Sequence, residues 1–186
     1  MPRRRTLSDE QLLAMVLALI HAEGPDAATF AAVAKASGLS GSTLVQRFAT
    51  KAAMLRAALL HAWDRLDTET ARLAGTVPKT PEGAIALLVG LSQDYGDNAA
   101  AYGAGLLVLR EDFRDPVLRA RGAAWGTALT AAIARCFGSA TAPETIARLM
   151  LSQWQGSLIW WGFGAGGPVA VYVETELQCF LAAIKP

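Results

Sequence analysis

The sequence contains few of the residues that build metal sites, disulfide frameworks and hydrolytic catalytic centres. Among its 186 residues there are two cysteines and two histidines. Cys136 and Cys179 lie far apart without a second ligand at metal-binding spacing, so we expect no metal site and no disulfide framework. His21 and His61 fall on different predicted helices without a partner for acid, base or nucleophilic chemistry, so we expect neither an enzyme nor a cofactor. This cysteine usage suits a reducing cytoplasm best.

An excess of charge of either sign is also lacking, because the formal net charge is +1. The overall charge therefore gives no reason to expect a nucleic acid or a membrane as partner. Its distribution is uneven, since residues 1–56 carry seven Lys and Arg against four Asp and Glu. The positive charge is thus concentrated in the N-terminal third of the chain.

One uncharged stretch, between residues 149 and 173, is long enough on paper to span a bilayer. Residues 166–168, Gly-Gly-Pro, interrupt it, and Gln153 lies in its first half, so the stretch favours two helices buried in protein. We also expect no secretory signal, because Arg3 to Arg5 run into polar residues and the apolar residues that follow have helical spacing. The sequence therefore predicts a cytoplasmic protein without a membrane partner.

Strand signals are nearly absent, and the dominant apolar spacing of three to four residues predicts an all-α protein with about nine helices. Ser8 and Gln11 form a capping-box pattern before the first helix. Thr29, Ser40 and Thr50 can cap the next three helices, the last of which is expected to run from Lys51 to about residue 74. Three later helices are expected to start where a capping side chain precedes a proline of the first turn, at Thr80-Pro81, Asp115-Pro116 and Thr141-Ala142-Pro143, and another helix is expected to start at Pro168.

Residues 37–48, SGLSGSTLVQRF, stop one short helix and start another within about four residues. Gly38 can adopt the left-handed conformation of a tight turn, and Leu39 can fill the angle between the two helices. With Ser40 at the N-cap, Leu44 and Phe48 point inward together. The segment is typical of a helix-turn-helix, although an ordinary helical corner can contain the same turn.

The outward side of the second helix carries hydrogen-bonding side chains that suit a DNA major groove. Gln46 can pair with adenine, and Arg47 can contact guanine or a phosphate. Lys51 opposes the dipole of the helix that it begins, and a DNA phosphate bound there would explain its position. Arg3 to Arg5 can lie along the duplex or can remain a solvated tail.

The order and spacing of these residues resemble the DNA-binding signature of the tetracycline-repressor (TetR) family. The resemblance covers roughly residues 8–56. It departs at Val45, where the family usually has a tyrosine that contacts the DNA backbone, and at Arg47, where a histidine is usual. Either that phosphate contact is lost or Arg47 replaces it. The resemblance rests on Thr29-Phe30, Val33-Ala34, residues 37–44, Phe48, Lys51 and Met54-Leu55.

The resemblance implies a homodimeric transcriptional regulator, usually a repressor, that binds a palindromic operator in double-stranded DNA. It also implies a DNA-binding domain, residues 1–56, followed by an effector-binding and dimerisation domain, residues 57–186. The alternative is a helical ligand-binding or adaptor protein with a degenerate DNA-binding domain. The predicted DNA contacts are Thr29, Ser40, Gly41, Ser42, Thr43, Val45, Gln46, Arg47 and Lys51, with Arg3, Arg4 and Arg5 as an arm.

The resemblance implies that the C-terminal part binds an effector, which we expect to be small and largely apolar or aromatic. Binding would release DNA through a shift of the helix that begins at Lys51. Aromatic residues at helical spacing can equally form an ordinary core, and Gln153 and Ser157 can satisfy each other. The candidate effector contacts are Tyr102, Phe113, Trp125, Met150, Gln153, Trp154, Ser157 and Trp160.

The last two predicted helices are unusually apolar, and the resemblance implies that they form the dimer interface. A four-helix interface between two copies of the chain would bury such surfaces. The predicted interface residues are Leu158, Trp161, Val169, Val173, Leu177 and Phe180.

Overall fold

The computed structural model describes residues 7–93, 97–164 and 166–184. These residues form nine α-helices and no β-strand, which confirms the all-α prediction. Two short 3-10 helices, Pro25–Ala27 and Arg135–Phe137, lie between them. The helices are α1 (Asp9–Glu23), α2 (Phe30–Ser37), α3 (Gly41–Phe48), α4 (Lys51–Thr76), α5 (Pro81–Ser92), α6 (Ala99–Arg114), α7 (Pro116–Ala134), α8 (Pro143–Gly162) and α9 (Val169–Ile184).

Two further predictions from the sequence concern an N-terminal arm and a membrane-spanning helix. The predicted arm, Arg3 to Arg5, lies outside the described residues. Across the three described ranges, no helix is long and apolar enough to cross a membrane.

Side-chain caps begin most of the helices where the sequence predicts them. Ser8 and Gln11 form a reciprocal capping box at the start of α1. Thr29, Ser40 and Thr50 each accept a hydrogen bond from the backbone N–H three residues later. Such a bond satisfies one of the N–H groups that a helix start leaves without an intrahelical partner.

The prediction that Thr141 caps α8 is wrong. Ala142 occupies the N-cap position, and no side chain caps this helix. Thr141 stands one residue too early for the hydroxyl to take that role. Pro143 at the first helical position still suits a helix start, because it lacks the N–H that would otherwise need a partner.

Contacts between residues divide the chain into two compact units. The N-terminal unit comprises residues 1–65 and 104–122, and the C-terminal unit comprises residues 66–103 and 123–186. Helices α4, α6 and α7 contribute to both units. This division describes packing, whereas the functional boundary after residue 56 stays a prediction.

The N-terminal unit is built around α1, α2, α3 and the first half of α4. Its core is formed by apolar side chains, and polar pairs also join α4 to α6 and α7. Trp63 Nε1 donates to Asp112 Oδ1 over 3.0 Å, and Arg56 Nε donates to Asp115 Oδ2 over 2.5 Å. The core residues are Leu12, Val16, Leu17, Ile20, Ala28, Val33, Leu44, Met54, Ala58, Leu59 and Leu118.

The C-terminal unit is organised around α9, which packs against both α5 and α8. Its buried residues come from every helix of the unit, so the helices share one apolar interior. Trp154 is the largest side chain that is almost completely buried. The largest others in this interior are Leu87, Leu88, Leu129, Ile133 and Met150.

Candidate nucleic-acid interface

The turn between α2 and α3 has the geometry that the sequence predicts. Gly38 ends α2 with φ 72° and ψ 8°, a left-handed conformation that glycine adopts without a steric penalty. Ala34 and Leu39 are partly buried against the core of the N-terminal unit. The small Ala34 and the apolar Leu39 therefore lie where a close crossing of α2 and α3 requires them.

Helix α3 has one buried side and one exposed side. Leu44 is completely buried, and Phe48 packs partly buried against the same core. Ser42 and Gln46 are exposed, Val45 is 49% exposed, and Thr43 is half-buried. The apolar side anchors this eight-residue helix and leaves a short row of polar side chains available to a partner.

Hydroxyl groups cluster at the N-terminus of α3. Ser40 Oγ accepts a hydrogen bond from the Thr43 N–H over 3.2 Å. The same oxygen lies 2.8 Å from both Ser42 Oγ and Thr43 Oγ1. Gly41 is exposed beside this cluster. Hydroxyls and the free N–H groups of a helix start are suitable donors for a DNA phosphate.

The cations of the interface have partners within the N-terminal unit. Arg47 Nη1 lies 3.1 Å from Asp9 Oδ1. Lys51 Nζ donates to the backbone carbonyl of Asp26 over 2.7 Å and lies 4.0 Å from the Asp26 carboxylate. A lysine ammonium has three donors, so this bond leaves Lys51 able to reach a phosphate.

Thr29 stands at the start of α2, where it is exposed and caps the helix. Its hydroxyl accepts from the Ala32 N–H over 3.1 Å, so the proton of that hydroxyl remains available to another acceptor.

A strained turn joins α3 to α4. Ala49 has φ 59° and ψ −49°, and the Thr50 N–H donates to the Phe48 carbonyl over 2.6 Å. A hydrogen bond between residues two apart defines a γ-turn, and the form with positive φ is rare and strained. The turn fixes the direction in which α4 leaves the recognition helix α3.

The predicted effector residues fall mostly in the interior of the C-terminal unit. Tyr102, Trp125, Met150, Trp154 and Ser157 are buried, and Gln153 is half-buried. The rings of Trp125 and Trp154 have centroids 6.4 Å apart. The Ser157 hydroxyl donates to the Gln153 backbone carbonyl over 2.8 Å, so it is satisfied within its own helix.

Thr70 and Ser92 accept hydrogen bonds from these two tryptophans. Neither residue was predicted to do so from the sequence. Trp125 Nε1 donates to Thr70 Oγ1 over 3.0 Å, and Trp154 Nε1 donates to Ser92 Oγ over 2.8 Å. A buried indole N–H needs an acceptor, and that requirement is the only signal that pointed to such partners. Nothing in the sequence indicates which hydroxyl supplies it.

Phe113 and Trp160 do not belong to this interior. Phe113 is 62% exposed and is part of the N-terminal unit, and Trp160 is 67% exposed on α8. Burial of Tyr102, which is part of this interior, raises the pKa of its phenol.

The residues predicted for the dimer interface lie on α8 and α9. Leu158, Trp161, Val169, Val173 and Leu177 are buried within a single chain, and Phe180 is half-buried. In a single chain these side chains contribute to the interior of the C-terminal unit, and their role between two copies stays a prediction.

The outward side of α8 carries a different apolar stripe. Leu149, Ile159, Trp160 and Phe163 are exposed, and the rings of Trp160 and Phe163 have centroids 5.8 Å apart. At about 100° per residue, the four side chains fall within about 100° of one another around the helix axis, with Phe163 at the C-cap of α8. We call this set the α8 stripe.

A groove of about 360 Å³ lies between α5 and α9 in the C-terminal unit. Glu82 and Glu174 line it together with Ile85, Gln178, Leu181 and Ala182. This groove was not predictable from the sequence, because no local pattern indicates which turns of α5 and α9 meet.

The N-terminal sequence matches a protein family. Residues 12–58 match the family model described as bacterial regulatory proteins, tetR family. This range contains most of α1, then α2, the turn, α3 with its exposed polar row, and the first turns of α4. No curated protein matches the chain by sequence.

Solved structures of bacterial regulators have a similar fold. A transcriptional regulator from Rhodococcus sp. Rha1 has a TM-score of 0.76 at 16% identity, over 96% of this chain and 100% of that chain. A putative transcriptional regulator from Saccharomonospora viridis in complex with choline has a TM-score of 0.73 at 19% identity, over 93% of this chain and 94% of that one.

A third solved structure has a similar fold. The ketosteroid transcriptional regulator KstR2 of Mycobacterium tuberculosis has a TM-score of 0.63 at 17% identity, over 98% of this chain and 97% of that chain. At these identities the likeness establishes that the chain shares their fold along nearly its whole length.

Proposed function

We propose that the chain is a DNA-binding transcriptional regulator of the tetR family, whose family model matches residues 12–58, and that it represses transcription as a homodimer on a palindromic operator. We further propose that a small effector releases it from DNA and that it acts in the cytoplasm. The observation that carries the proposal is the exposed polar row on α3 above the fully buried Leu44.

The polar row supports contact with bases as well as with phosphates. Gln46 is exposed in the last turn of α3, and a glutamine amide can bond two atoms of an adenine edge in the major groove. The hydroxyls of Ser42 and Thr43 and the ammonium of Lys51 suit phosphate contacts, which fix the position of the helix on the duplex. This combination of one base reader among several backbone contacts is common in helix-turn-helix proteins.

The α8 stripe supports the homodimer. Trp160 and Phe163 are 67% and 79% exposed, which is unusual for adjacent large aromatic side chains on a single chain. A twofold axis beside α8 would place the stripe of one copy against the stripe of the other. A dimer of this kind also presents two recognition helices to the two halves of a palindrome.

The buried aromatic interior supports an effector site in the C-terminal unit. Trp125 and Trp154 provide a large apolar surface, and Thr70 and Ser92 provide hydroxyls beside it. We propose a small, largely apolar or aromatic effector that binds beside these tryptophans. The complex of the Saccharomonospora viridis regulator with choline supports the view that this fold accommodates a small molecule.

Helix α4 supports a route for release. It starts with Lys51 at the proposed DNA surface, and its residues belong to the N-terminal unit up to Arg65 and to the C-terminal unit from Leu66. A shift of α4 on effector binding would change the separation of the two recognition helices in the dimer. The operator would then fit only one of the two states.

The proposal is tested by selecting fragments of the source organism's genomic DNA with the purified protein and sequencing the fragments that bind. We expect enrichment of a palindromic site whose binding weakens steeply with salt, because phosphate contacts release counterions. No enriched site, together with weak and salt-insensitive binding, would contradict the proposal. That outcome would favour a helical ligand-binding or adaptor protein that has lost DNA binding at Val45.

A further inference from the structure

Arg47 occupies an unusual position for a cation of a DNA-reading helix. A helix advances about 100° per residue, so Arg47 lies on the flank of α3 next to Gln46 and not in the middle of its exposed row. Its side chain turns toward the beginning of α1 and away from the row formed by Ser42 and Gln46. The relevant contacts are all to residues 38 and 40 positions earlier in the chain.

The guanidinium of Arg47 makes three contacts at the N-terminus of α1. Nη1 donates to Asp9 Oδ1 over 3.1 Å. Nη1 and Nη2 also lie 3.5 and 3.4 Å from the Leu7 carbonyl oxygen, which precedes the N-cap residue Ser8. A planar fork that reaches a carboxylate and a carbonyl together defines an orientation better than a single ammonium contact does.

We propose that Arg47 is a positioning residue that fixes the C-terminal end of α3 to the start of α1. This inference rests on the proposed DNA-binding function of α3. The helix has only eight residues, and Leu44 and Phe48 hold it on its buried side. The contact with Asp9 and Leu7 adds a second, lateral anchor, which sets the direction of the neighbouring Gln46.

With valine at position 45, either the phosphate contact of the usual tyrosine is lost or Arg47 replaces it. The proposed role of Arg47 favours the loss of that contact. If the fork of Arg47 is engaged by Asp9 and Leu7, it does not replace the backbone contact that the resemblance expects of the residue at Val45. Base reading through Gln46 then depends on the placement of α3 by its intramolecular anchors. A recognition side chain must be held within about half an ångström of its productive position, so a lateral anchor affects base preference.

A double-mutant cycle on the full-length protein tests this inference. The variants are Asp9→Ala, Arg47→Ala and the combination of both, with Glu10→Ala as matched control, because Glu10 is the adjacent acidic residue in the first turn of α1. Affinity is measured on the selected operator and on a scrambled duplex at several salt concentrations. Thermal unfolding of each variant is followed by circular dichroism.

We expect Asp9→Ala and Arg47→Ala each to lower operator affinity about fivefold, the upper range for an exposed ion pair. The double variant should lose about the same fivefold and not the product of the two losses. The salt slope should stay that of the unchanged protein, and Glu10→Ala should not lower operator affinity. Exchanging the charges, with Asp9→Arg and Arg47→Asp together, should recover part of the loss without changing the net charge.

A different pattern would overturn the inference. If Arg47 contacts a phosphate directly, Arg47→Ala lowers the salt slope by about one and Asp9→Ala leaves affinity unchanged or raises it. The charge exchange then abolishes binding, because a carboxylate at position 47 faces the phosphates. Failure of the unchanged protein to prefer any operator would instead contradict the proposed function.

Discussion

At the scale of single residues, Ala49 combines a clear structural cost with a position beside the recognition helix. Its φ of 59° lies in the region that side chains with a Cβ avoid. The Thr50 N–H to Phe48 carbonyl bond of 2.6 Å holds the chain in this γ-turn. Glycine adopts such a conformation without the Cβ penalty, so the natural residue at this turn is less favourable than glycine.

We predict that Ala49→Gly raises the free energy of unfolding by about 1 kcal/mol, because relief of strain exceeds the entropy that glycine adds to the unfolded chain. Urea unfolding followed by circular dichroism measures this change. Ala52→Gly is the matched control, since Ala52 is exposed in the first turn of α4, and it should lose up to about 1 kcal/mol. A destabilised Ala49→Gly variant would show that the turn is not strained.

Asp112 is a buried carboxylate whose charge is poorly compensated. It is 8% exposed, and burial raises the pKa of its carboxyl, while the hydrogen bond from Trp63 partly opposes that rise. A raised pKa means that the folded chain binds the proton more tightly than the unfolded chain does. Its contribution to stability is therefore greatest below the unfolded pKa of about 3.9 and is lost as pH rises through the folded pKa.

We predict that Asp112→Asn is more stable than the unchanged protein at pH 7 and that the difference shrinks as the pH is lowered toward 4. The amide oxygen of asparagine can still accept from Trp63, and the variant has no charge to bury. Melting temperatures across this pH range check the prediction. A constant difference at all pH values would mean that the pKa of the Asp112 carboxyl is the same in the folded and the unfolded chain.

Asp115→Asn is the same chemical change as Asp112→Asn, but we predict the opposite effect on stability at pH 7. The hydrogen bond from Arg56 lowers the pKa of the Asp115 carboxyl, so its stabilising contribution is present at neutral pH and is lost as pH falls. This variant should therefore be less stable than the unchanged protein at pH 7, with a difference that disappears in acid.

Some contacts of these residues were predictable from the sequence, and others were not. The caps at Ser8, Thr29 and Ser40 were predictable, because each bonds a backbone N–H only three residues away. The partners of Arg47 and Asp112 were not, because Asp9 and Trp63 lie 38 and 49 positions away. A local pattern has no information on which distant turn meets which side chain.

At the scale of helices, apolar periodicity identified the elements better than it identified their faces. Helix α8 was predicted to use Leu158 and Trp161 between two chains, yet both are buried within one chain. Its outward side carries a second apolar stripe, so the hydrophobic residues occupy more than one face. Periodicity cannot assign the faces of such a helix, because either side can be the interior.

Helix α4 provides a prediction at this scale, since its first residue lies at the proposed DNA surface. We predict that Lys51→Ala weakens binding to all DNA sequences about equally and lowers the salt slope by about one. Titrations at several salt concentrations measure the slope.

Lys35→Ala is the control for this measurement, because Lys35 is an exposed lysine on α2. Its slope should equal that of the unchanged protein. A Lys51→Ala slope that is also unchanged would limit Lys51 to its contact with Asp26.

At the scale of the whole molecule, the proposed homodimer depends on the α8 stripe. We predict that Trp160→Asp raises the dimer dissociation constant about 30-fold or more, as the loss of a central aromatic contact does in other interfaces. Sedimentation over a range of protein concentrations measures this constant.

The control for the dimer is Leu107→Asp, which places the same charge at a similarly exposed apolar residue of α6. It should leave the dissociation constant unchanged. If Trp160→Asp leaves the dissociation constant unchanged, the interface lies elsewhere. If the unchanged protein is a monomer at all concentrations, the proposed homodimer is contradicted.

The central claim is that α3 reads DNA bases through Gln46, and fluorescence anisotropy on the selected operator and a scrambled duplex tests it most directly. We expect the unchanged protein to prefer the operator by about a thousandfold or more at physiological salt. Gln46→Ala should lower that preference by about tenfold to a hundredfold while its affinity for the scrambled duplex stays the same. Equal losses on both duplexes, or no preference in the unchanged protein, would contradict the claim.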